Sequence, residues 1–329
     1  MTLEELQTGL AAVARRALNQ ACEVAHPVRL SGGASAETWK FDLLTPAGAR
    51  PCILRRSATS ERNRFATSVS KALEAQLQRL ARAQGVPCAE ILFELDPQDG
   101  LGEGYVMSRV AGETLAPKIL SRPELETART TLATQCGSIL AALHSVDVSS
   151  LAAQMPDQSA LPQLDQLETL YRSFEQPQPV FEYALRWLRE RAPVNDQLRL
   201  VHGDFRNGNF VVDEHGMAAV LDWELAHRGD PAEDFGWLCV RSWRFSRPEN
   251  PVGGFGSLQQ LLDAYEQAGG TPVSLERIRY WQAFGTLRWG IICLFQVFSH
   301  LRGEQQSVEL AAIGRRVSET EFDLMELLS

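Results

Sequence analysis

The stretch VHGDFRNGNF, residues 201–210, sets a histidine, an aspartate, an arginine and two asparagines between short apolar runs. Glycine and asparagine tolerate left-handed backbone angles, so the stretch predicts a reversal of the chain. A turn alone does not require His202, Asp204 and Arg206 as well. The surplus of polar side chains therefore indicates a chemical task beyond turning the chain.

A second aspartate, Asp222, follows at the end of the apolar run AAVL. An aspartate (Asp204), an asparagine five positions later (Asn209) and an aspartate on a neighbouring strand form the arrangement that kinases use for phosphoryl transfer. That reaction needs an oriented hydroxyl and metal ions that neutralise phosphate charge. Asp204 is therefore the candidate base that accepts the proton of the hydroxyl. Asn209 and Asp222 offer the hard oxygen ligands that Mg²⁺ prefers.

The composition is that of a globular protein. The 329 residues suffice for about two ordinary domains or lobes, and the hydrophobic fraction of 44% and charged fraction of 22% are typical of globular chains. A net charge of -9 gives no overall attraction to nucleic acid or to an anionic membrane. We therefore expect neither of them as a partner.

The N-terminal segment 1–21 predicts an amphipathic helix, and it lacks the continuous apolar run of a signal peptide or membrane span. A cytoplasmic location is expected. The six cysteines occur singly, without C-x-x-C spacing, which favours buried thiols over zinc or redox sites. These cysteines are Cys22, Cys52, Cys88, Cys136, Cys239 and Cys293.

The pattern of apolar residues divides the chain in two. After the N-terminal helix, the residues up to 110 combine several short strand-like runs with one further helical run, in which Val69, Leu73, Leu77 and Leu80 recur at helical spacing. From Ala111 onwards the periodicity is mostly helical, with short strands only around the opening stretch. The prediction is an α+β fold with a small antiparallel sheet and one crossing helix in an N-lobe (1–110), and a larger, mainly helical C-lobe (111–329).

Longer segments carry a family resemblance. HGDFRNGN (202–209) followed by LDWELAHRGDPAEDFGWL (221–238) resembles the catalytic and metal-binding segments of the aminoglycoside phosphotransferase family, which has a bilobal protein-kinase-like fold. SGGASAETWKF (31–41) resembles the loop that covers the nucleotide, and GYVMSRVAGETL (104–115) resembles the hinge. The resemblance implies an ATP- or GTP-dependent kinase that uses Mg²⁺ and phosphorylates a hydroxyl of a small molecule.

The resemblance also implies which residues contact the nucleotide. Arg55 takes the position of the phosphate-binding lysine, with Glu74 as its ion-pair partner. Arginine keeps the charge but is not interchangeable with lysine, and it is usual in the subgroup of this family allied to acyl-CoA dehydrogenases. A plain hairpin for SGGAS and a solvated helix charge for Glu74 are the alternatives. The implied contacts are Ser31, Gly32, Gly33, Ala34, Ser35, Arg55, Glu74, Met107, Ser108 and Val110.

Three further residues near Asp204 are expected to support it or to assist the transfer. Arg206 lies where Ser/Thr kinases carry a lysine that touches the transferred phosphate, so we expect it to be catalytic. Pairing with Asp234 or Glu233 is the alternative. His202 is expected to support the loop through a hydrogen bond, because Asp204 already fills the role of the base. Asp234 is expected to hold the loop in place.

The acceptor is indicated only indirectly. The segment VRSWRFSRP contains Arg241, Arg244 and Arg247, and cations that face the pocket would favour an anionic or acyl-type hydroxy compound over a polycationic aminoglycoside. Most aromatic residues of the late helical segment are expected to pack in the core. Those residues are Tyr280, Trp281, Phe284, Trp289, Phe295 and Phe298.

Two alternative functions stay open at this point. One is an aminoglycoside 3'-type phosphotransferase. The other is a catalytically inactive, kinase-like nucleotide-binding module, which the arginine at position 55 suggests. Retention of Asp204, Asn209 and Asp222 argues against the inactive module, because binding alone has no need of all three residues.

Overall fold

The N-terminal third of the chain is built on one antiparallel sheet of five strands. The computed structural model describes residues 1–30, 36–57, 68–194 and 197–329. The order across the sheet is β1-β2-β3-β5-β4, so the first three strands form an antiparallel meander. The strands are β1 (Glu23–Arg29), β2 (Ala36–Thr45), β3 (Gly48–Ser57), β4 (Ile91–Glu94) and β5 (Gly104–Ser108).

The N-terminal helix α1 (Leu3–Leu18) covers one face of this sheet. A capping box between Thr2 and Glu5 satisfies backbone N–H groups at its start. Its apolar stripe includes Leu6 and Leu10, which are buried in one cluster with Leu43 and other sheet residues. The predicted amphipathic helix therefore belongs to the N-terminal layer, as a second helix beside the one expected to cross between lobes.

The crossing helix α2 (Lys71–Ala83) lies on the other face. Ser70 caps it by accepting the Leu73 N–H at 3.2 Å. The helix places Ala75 against the sheet, whereas Leu73 and Leu77 are buried with residues from the helical part of the chain. Because α2 packs on both sides, it connects the sheet to the rest of the molecule.

The remainder of the chain is mainly helical, as expected. Its helices are α3 (Ala116–Ser121), α4 (Glu126–His144), α5 (Ala160–Arg172), α6 (Pro179–Glu190), α7 (Ala232–Leu238), α8 (Leu258–Gln267), α9 (Leu275–Leu301), α10 (Val308–Gly314) and α11 (Val317–Leu328). Its short strands are β6 (Asp157–Gln158), β7 (Arg199–Val201), β8 (Phe210–Asp213), β9 (Gly216–Val220) and β10 (His227–Gly229). The antiparallel sheet followed by a helical remainder agrees with the predicted α+β class.

The 27-residue helix α9 contributes many residues to a second hydrophobic core in the helical part of the chain. Trp281, Leu287 and Ile291 are almost completely buried, which supports the expectation of a core helix. Within the described ranges, the chain contains no helix that is both long enough and apolar enough to span a membrane. All six cysteines are buried and reduced, as the sequence indicated.

Candidate active site

The stretch VHGDFRNGNF (201–210) forms a tight loop between β7 and β8. Gly203 has a φ of 76°, and a Cβ there would lie 2.5 Å from the Leu225 carbonyl oxygen. Only glycine combines that left-handed angle with so close a backbone approach. Gly208 also has a positive φ, of 121°. The two glycines therefore turn the chain, and the polar residues between them are free for other tasks.

The carboxylate of Asp204 accepts three hydrogen bonds from side chains. Arg206 donates from Nε to Oδ1 at 3.0 Å, and Trp237 donates from Nε1 to the same oxygen at 2.7 Å. Asn209 donates from Nδ2 to the other oxygen, Oδ2, at 2.5 Å. Hydrogen bonds to an ionised acceptor are stronger than neutral ones, so these donors hold the carboxylate in one orientation.

Asp222 is linked to the Asp204–Asn209 pair through the backbone of the preceding residue, Leu221. The Leu221 N–H donates to the carbonyl oxygen of Asn209 at 2.8 Å. Asp222 itself has a φ of 66°, a left-handed conformation that costs energy for a residue with a Cβ and that often marks functional sites. Burial alone would raise the pKa of its carboxyl, but the adjacent Arg55 guanidinium holds that pKa below the usual value. Asp222 is therefore ionised at neutral pH.

Arg55 connects Asp222 to the crossing helix. It donates to Asp222 Oδ1 at 2.7 Å, and its Nε lies 3.6 Å from Glu74 Oε2. Glu74 is fully buried and also accepts from the Tyr105 hydroxyl at 3.0 Å and from Lys71. The contact between Arg55 and Glu74 that the resemblance implied is thus present, and Glu74 is not a solvated helix charge.

A cavity of about 270 Å³ opens beside Asp222 between the sheet and the β8–β9 hairpin. Five of the residues assigned from the sequence line it, namely Arg55, Met107, Ser108, Val110 and Asp222. Apolar side chains, including Ile53 and Val220, form much of its wall. Glu74, also predicted as a nucleotide contact, is not among the lining residues and lies buried behind Arg55. The remaining predicted contacts, Ser31, Gly32, Gly33, Ala34 and Ser35, lie outside the described residues.

The oxygen atoms of Asn209 and Asp222 suit a magnesium ion. Asn209 uses its Nδ2 to bond Asp204, which leaves the amide oxygen as its ligand atom. Among the described residues, no group of three or more His, Cys, Asp or Glu side chains is arranged to hold a metal by itself. Mg²⁺ in kinase sites is held by one or two side chains together with substrate phosphates and water, so a sparse protein ligand set fits.

A buried aspartate on α7 fixes the backbone of the loop. Asp234 accepts the N–H groups of His202 and Gly203 at 2.9 Å and 3.0 Å. His144 lies against the same carboxylate, with Nε2 at 3.2 Å. Burial would raise the pKa of Asp234, but the hydrogen bond to His144 lowers it below the ordinary value. The expectation that Asp234 holds the loop agrees with this geometry.

His202 is completely buried and supports the turn. Its Nδ1 atom accepts the Asp204 N–H at 3.2 Å, a role open only to a ring nitrogen without a proton. Burial lowers the pKa of the imidazole, which keeps the ring neutral. This geometry agrees with a supporting role for His202 rather than that of a base.

Arg206 contacts the base itself. In addition to its bond with Asp204, its guanidinium lies 4.4 Å from the ring centre of Trp243, a cation–π distance. Pairing with Asp234 or Glu233 was the alternative, but within the described part of the chain the ion-pair partner of Arg206 is Asp204. Glu233 lies instead 3.1 Å from His227.

The three arginines of VRSWRFSRP do not share one pocket. Arg241 pairs with Asp323 and Glu326 of α11 at 3.3 Å and 2.7 Å. Arg244 bonds backbone carbonyl groups, including that of Cys239 at 2.9 Å, and Arg247 bonds the Leu120 carbonyl at 3.4 Å. Arg241 is thus paired with α11, and Arg244 and Arg247 bond backbone carbonyl groups, so the three arginines do not form one cationic surface.

A different set of aromatic and cationic residues lies beside the loop that carries Asp204. Trp237, Trp243 and Trp289 form one cluster, with ring centres about 5 Å apart. Arg288 lies 4.8 Å from the ring centre of Trp237 and donates to the Gly203 carbonyl at 3.1 Å. By contrast, Tyr280, Trp281 and Phe284 are core residues, as expected, and Phe295 and Phe298 pack against that core.

Trp237 and Arg288 are site residues that sequence reasoning missed. Trp237 follows Asp234 by three positions, so on a helix both lie on the same face. The spacing of Asp234 and Trp237 within GDPAEDFGW (229–237) could therefore have identified Trp237 from the sequence. Nothing local marked Arg288, because its approach to Gly203 depends on how α9 packs against the loop.

The family model for the phosphotransferase enzyme family (APH) matches residues 27–271 of the chain. Among curated proteins, mouse acyl-CoA dehydrogenase family member 10 is 33% identical over 172 residues, covering 50% of this chain and 16% of that protein. Human acyl-CoA dehydrogenase family member 11 is 26% identical over 270 residues, covering 76% of this chain and 34% of that protein. The chain thus spans only about a sixth to a third of these relatives.

Solved structures share the fold at low sequence identity. A Ralstonia eutropha JMP134 protein assigned to the aminoglycoside phosphotransferases has a TM-score of 0.75 and 22% identity, with 98% of this chain and 97% of that chain covered. Spectinomycin phosphotransferase, solved with ADP and spectinomycin, has a TM-score of 0.67 and 12% identity, with 97% and 98% covered. The kinase-like fold predicted from the sequence is confirmed. The chain belongs to the phosphotransferase enzyme family.

Proposed function

We propose that the protein transfers the γ-phosphate of ATP or GTP to the hydroxyl of a small molecule, with Asp204 as the base. The observation that carries the proposal is a continuous line of contacts. It runs from Asp204 to Asn209, through the backbone to Asp222, and then to Arg55 and Glu74. These are the groups that phosphoryl transfer requires, in one connected arrangement.

The nucleotide is proposed to occupy the cavity beside Asp222. Its base would lie against the apolar wall near Met107, Ser108 and Val110, and its phosphates near Arg55. The loop 31–35 would complete the phosphate side. Related folds were solved with ADP and with GDP, which supports a nucleotide co-substrate of either kind. We propose the lobe division at residue 110, beside this cavity.

The chemistry of the loop follows from its hydrogen bonds. Asp204 would orient the acceptor hydroxyl and take its proton, while Asn209 and Trp237 keep the carboxylate in position. Arg206 is close enough to Asp204 to turn towards the transferred phosphate. Mg²⁺ held by Asn209 and Asp222 would neutralise phosphate charge.

The acceptor is proposed to be an anionic or acyl-type hydroxy compound. Arg206 and Trp237 contact Asp204 directly, and Trp243 and Arg288 pack against these two side chains. Arg288 also donates to the Gly203 carbonyl and lies 3.9 Å from Glu233. A polycationic aminoglycoside would meet repulsion from these arginines. An acyl chain with a carboxylate or thioester would meet apolar rings and positive charge, and the names of the curated relatives also point to acyl compounds.

The test is a screen for acceptor-dependent release of ADP or GDP in the presence of Mg²⁺. The panel contains hydroxy acids, hydroxyacyl thioesters, sugar phosphates and aminoglycosides. We expect turnover with an anionic or acyl-type hydroxy compound and none with aminoglycosides. Turnover with aminoglycosides alone would support the aminoglycoside 3'-type activity and contradict the proposed acceptor.

The Asp204→Ala variant is the matched control. It should lose turnover while nucleotide binding, measured by titration calorimetry, is retained, because Asp204 is not among the residues that line the cavity. Nucleotide binding without turnover across the whole panel would favour the inactive binding module. Lack of nucleotide binding by the unmodified chain would contradict both functions.

A further inference from the structure

Lys71 is a buried lysine at the start of α2, with 5% of its surface exposed. Its ammonium group donates to Glu74 Oε1 and lies 3.9 Å from Glu224 Oε2. Burying a cation is costly unless carboxylates surround it, so its partners must compensate for lost hydration. Lys71 is one of only three lysines in the chain, and the phosphotransferase function proposed above assigns it no task.

Lys71 belongs to a bridging cluster that joins the crossing helix to the segment after β9. The cluster consists of Arg55, Lys71, Glu74, Asp222 and Glu224. The Val69 N–H also donates to the Glu224 carbonyl at 2.9 Å, which ties the start of the helix to this segment. Three carboxylates and two cations leave one net negative charge in their ionised forms.

Arg55 is held by several carboxylates at once. Its terminal nitrogen lies 2.7 Å from Asp222 and 3.5 Å from Glu224, and its Nε lies 3.6 Å from Glu74. A guanidinium has five donors in a rigid fork, so it can bind more than one carboxylate, unlike a lysine at the same place. Each carboxylate charge near Arg55 competes with the phosphates of a nucleotide for the guanidinium.

Lys71 reduces the competition between Glu74 and the nucleotide phosphates for Arg55. Its ammonium occupies Glu74 Oε1, and the Tyr105 hydroxyl occupies Oε2. Of the three carboxylates near Arg55, Glu74 is the most distant. Arg55 lines the cavity, whereas Lys71 is not among its lining residues, so Lys71 acts from behind the arginine.

We infer that Lys71 is a positioning residue for nucleotide binding: it neutralises Glu74 and so leaves Arg55 available to the phosphates. The inference rests on the proposed function, because it requires a nucleotide in the cavity. It also accounts for how an arginine can serve at a position where most kinases carry a lysine. Lys71, one turn earlier on the same helix, neutralises the negative charge that Glu74 would otherwise direct at Arg55.

The test compares four variants by calorimetric binding of MgADP and by steady-state kinetics. Lys71→Met should weaken MgADP binding about tenfold or more, since hydrogen bonds to charged groups are the strong ones. It should raise the nucleotide KM more than it lowers kcat. Lys71→Arg should retain most of the affinity. The double variant Lys71→Met/Glu74→Gln should bind as tightly as Glu74→Gln alone, because without the Glu74 charge no neutralisation is needed.

Lys118→Met is the control, because it removes a lysine charge at an exposed position. This variant should bind MgADP like the unmodified protein. Melting temperatures show which variants fold. The double variant carries no unpaired buried charge from the Lys71 and Glu74 pair, so it keeps the test open if Lys71→Met is unstable.

Two outcomes would overturn the inference. If the double variant stays as weak as Lys71→Met, Lys71 contacts the phosphates itself instead of acting through Glu74. If Lys71→Met folds and binds like the unmodified protein, Lys71 has no part in nucleotide binding. Failure of the unmodified chain to bind either MgADP or MgGDP is a separate result, since it removes the proposed function before any variant is compared; if only MgGDP binds, the variants are compared with MgGDP.

Discussion

Trp237 donates its indole N–H to Oδ1 of Asp204 at 2.7 Å, while Asp234, three residues earlier on α7, accepts two backbone N–H groups from the same loop. The spacing places both side chains on one face of the helix. One helix therefore fixes the backbone of the loop and the carboxylate that it presents. The position of the proposed base depends on α7 as much as on its own turn.

Trp237→Phe is expected to lower kcat by about 10-fold to 100-fold, because a hydrogen bond to a charged group contributes about 1.5–3 kcal/mol and its loss frees the Asp204 carboxylate. The phenyl ring keeps most of the packing with Trp243 and Arg288. The nucleotide KM and the melting temperature should change little. An unchanged kcat would show that Arg206 and Asn209 hold the carboxylate without the indole.

Gly236→Ala tests how closely α7 must approach α9. A Cβ at Gly236 would lie 2.4 Å from the backbone carbon of Trp281, and backbone cannot move aside cheaply. We expect a loss of about 1–3 kcal/mol in the free energy of unfolding, the usual cost of overpacking. Activity should fall as well, since α7 carries Asp234 and Trp237.

Gly9→Ala is the comparison for this substitution. Its new Cβ would approach only the end of the flexible Leu101 side chain, at 2.8 Å, and alanine favours the helix α1. Stability should therefore change much less than in Gly236→Ala, as measured by urea denaturation. Equal losses in the two variants would contradict the assigned contact between α7 and α9.

Local patterns in the sequence predicted the elements of the fold and part of the site. Alternating apolar runs marked the strands, and the helical spacing of Leu73 and Leu77 marked the crossing helix. The spacing from Asp204 to Asn209 and Asp222 predicted residues that do lie together. These features succeed because they depend on neighbours in the chain or on one hairpin.

Contacts between distant segments could not be predicted in the same way. The three arginines of VRSWRFSRP looked like one charged group, but Asp323 and Glu326 of α11 hold Arg241, some 80 residues away in sequence. Arg288 reaches Gly203 only because α9 packs beside the loop. Such pairings are decided by tertiary packing, which no periodicity records.

Arg206→Met is expected to lower kcat by about tenfold or more, because it removes a charge-assisted hydrogen bond to Asp204 and, in the proposed mechanism, the cation that would face the transferred phosphate. The stacking surface for Trp243 is also lost. In this variant the KM for an anionic acceptor should rise, while the affinity for MgADP should change less than that KM. Arg206→Lys should recover only part of the activity, since lysine cannot reproduce the planar fork. Full recovery by lysine would mean that only the charge is required.

The buried pair of His227 and Glu233 predicts a pH dependence of stability. Burial opposes the charged imidazole, but Glu233, 3.1 Å away, raises the pKa of His227 above its ordinary value of 6.5. A histidine with a raised pKa in the folded state stabilises the protein fully below the unfolded pKa. That contribution is lost as pH rises through the folded pKa.

His227→Gln should therefore destabilise the protein most near pH 6, and the difference from the unmodified protein should shrink as pH rises above the unfolded pKa of about 6.5. Urea midpoints measured from pH 6 to about pH 9 give the comparison. His215→Gln, at a side chain that is 84% exposed, should show no such trend. A difference for His227→Gln that stays constant or grows with pH would mean that the imidazole is neutral in the folded state, with Glu233 as the acceptor of a neutral N–H.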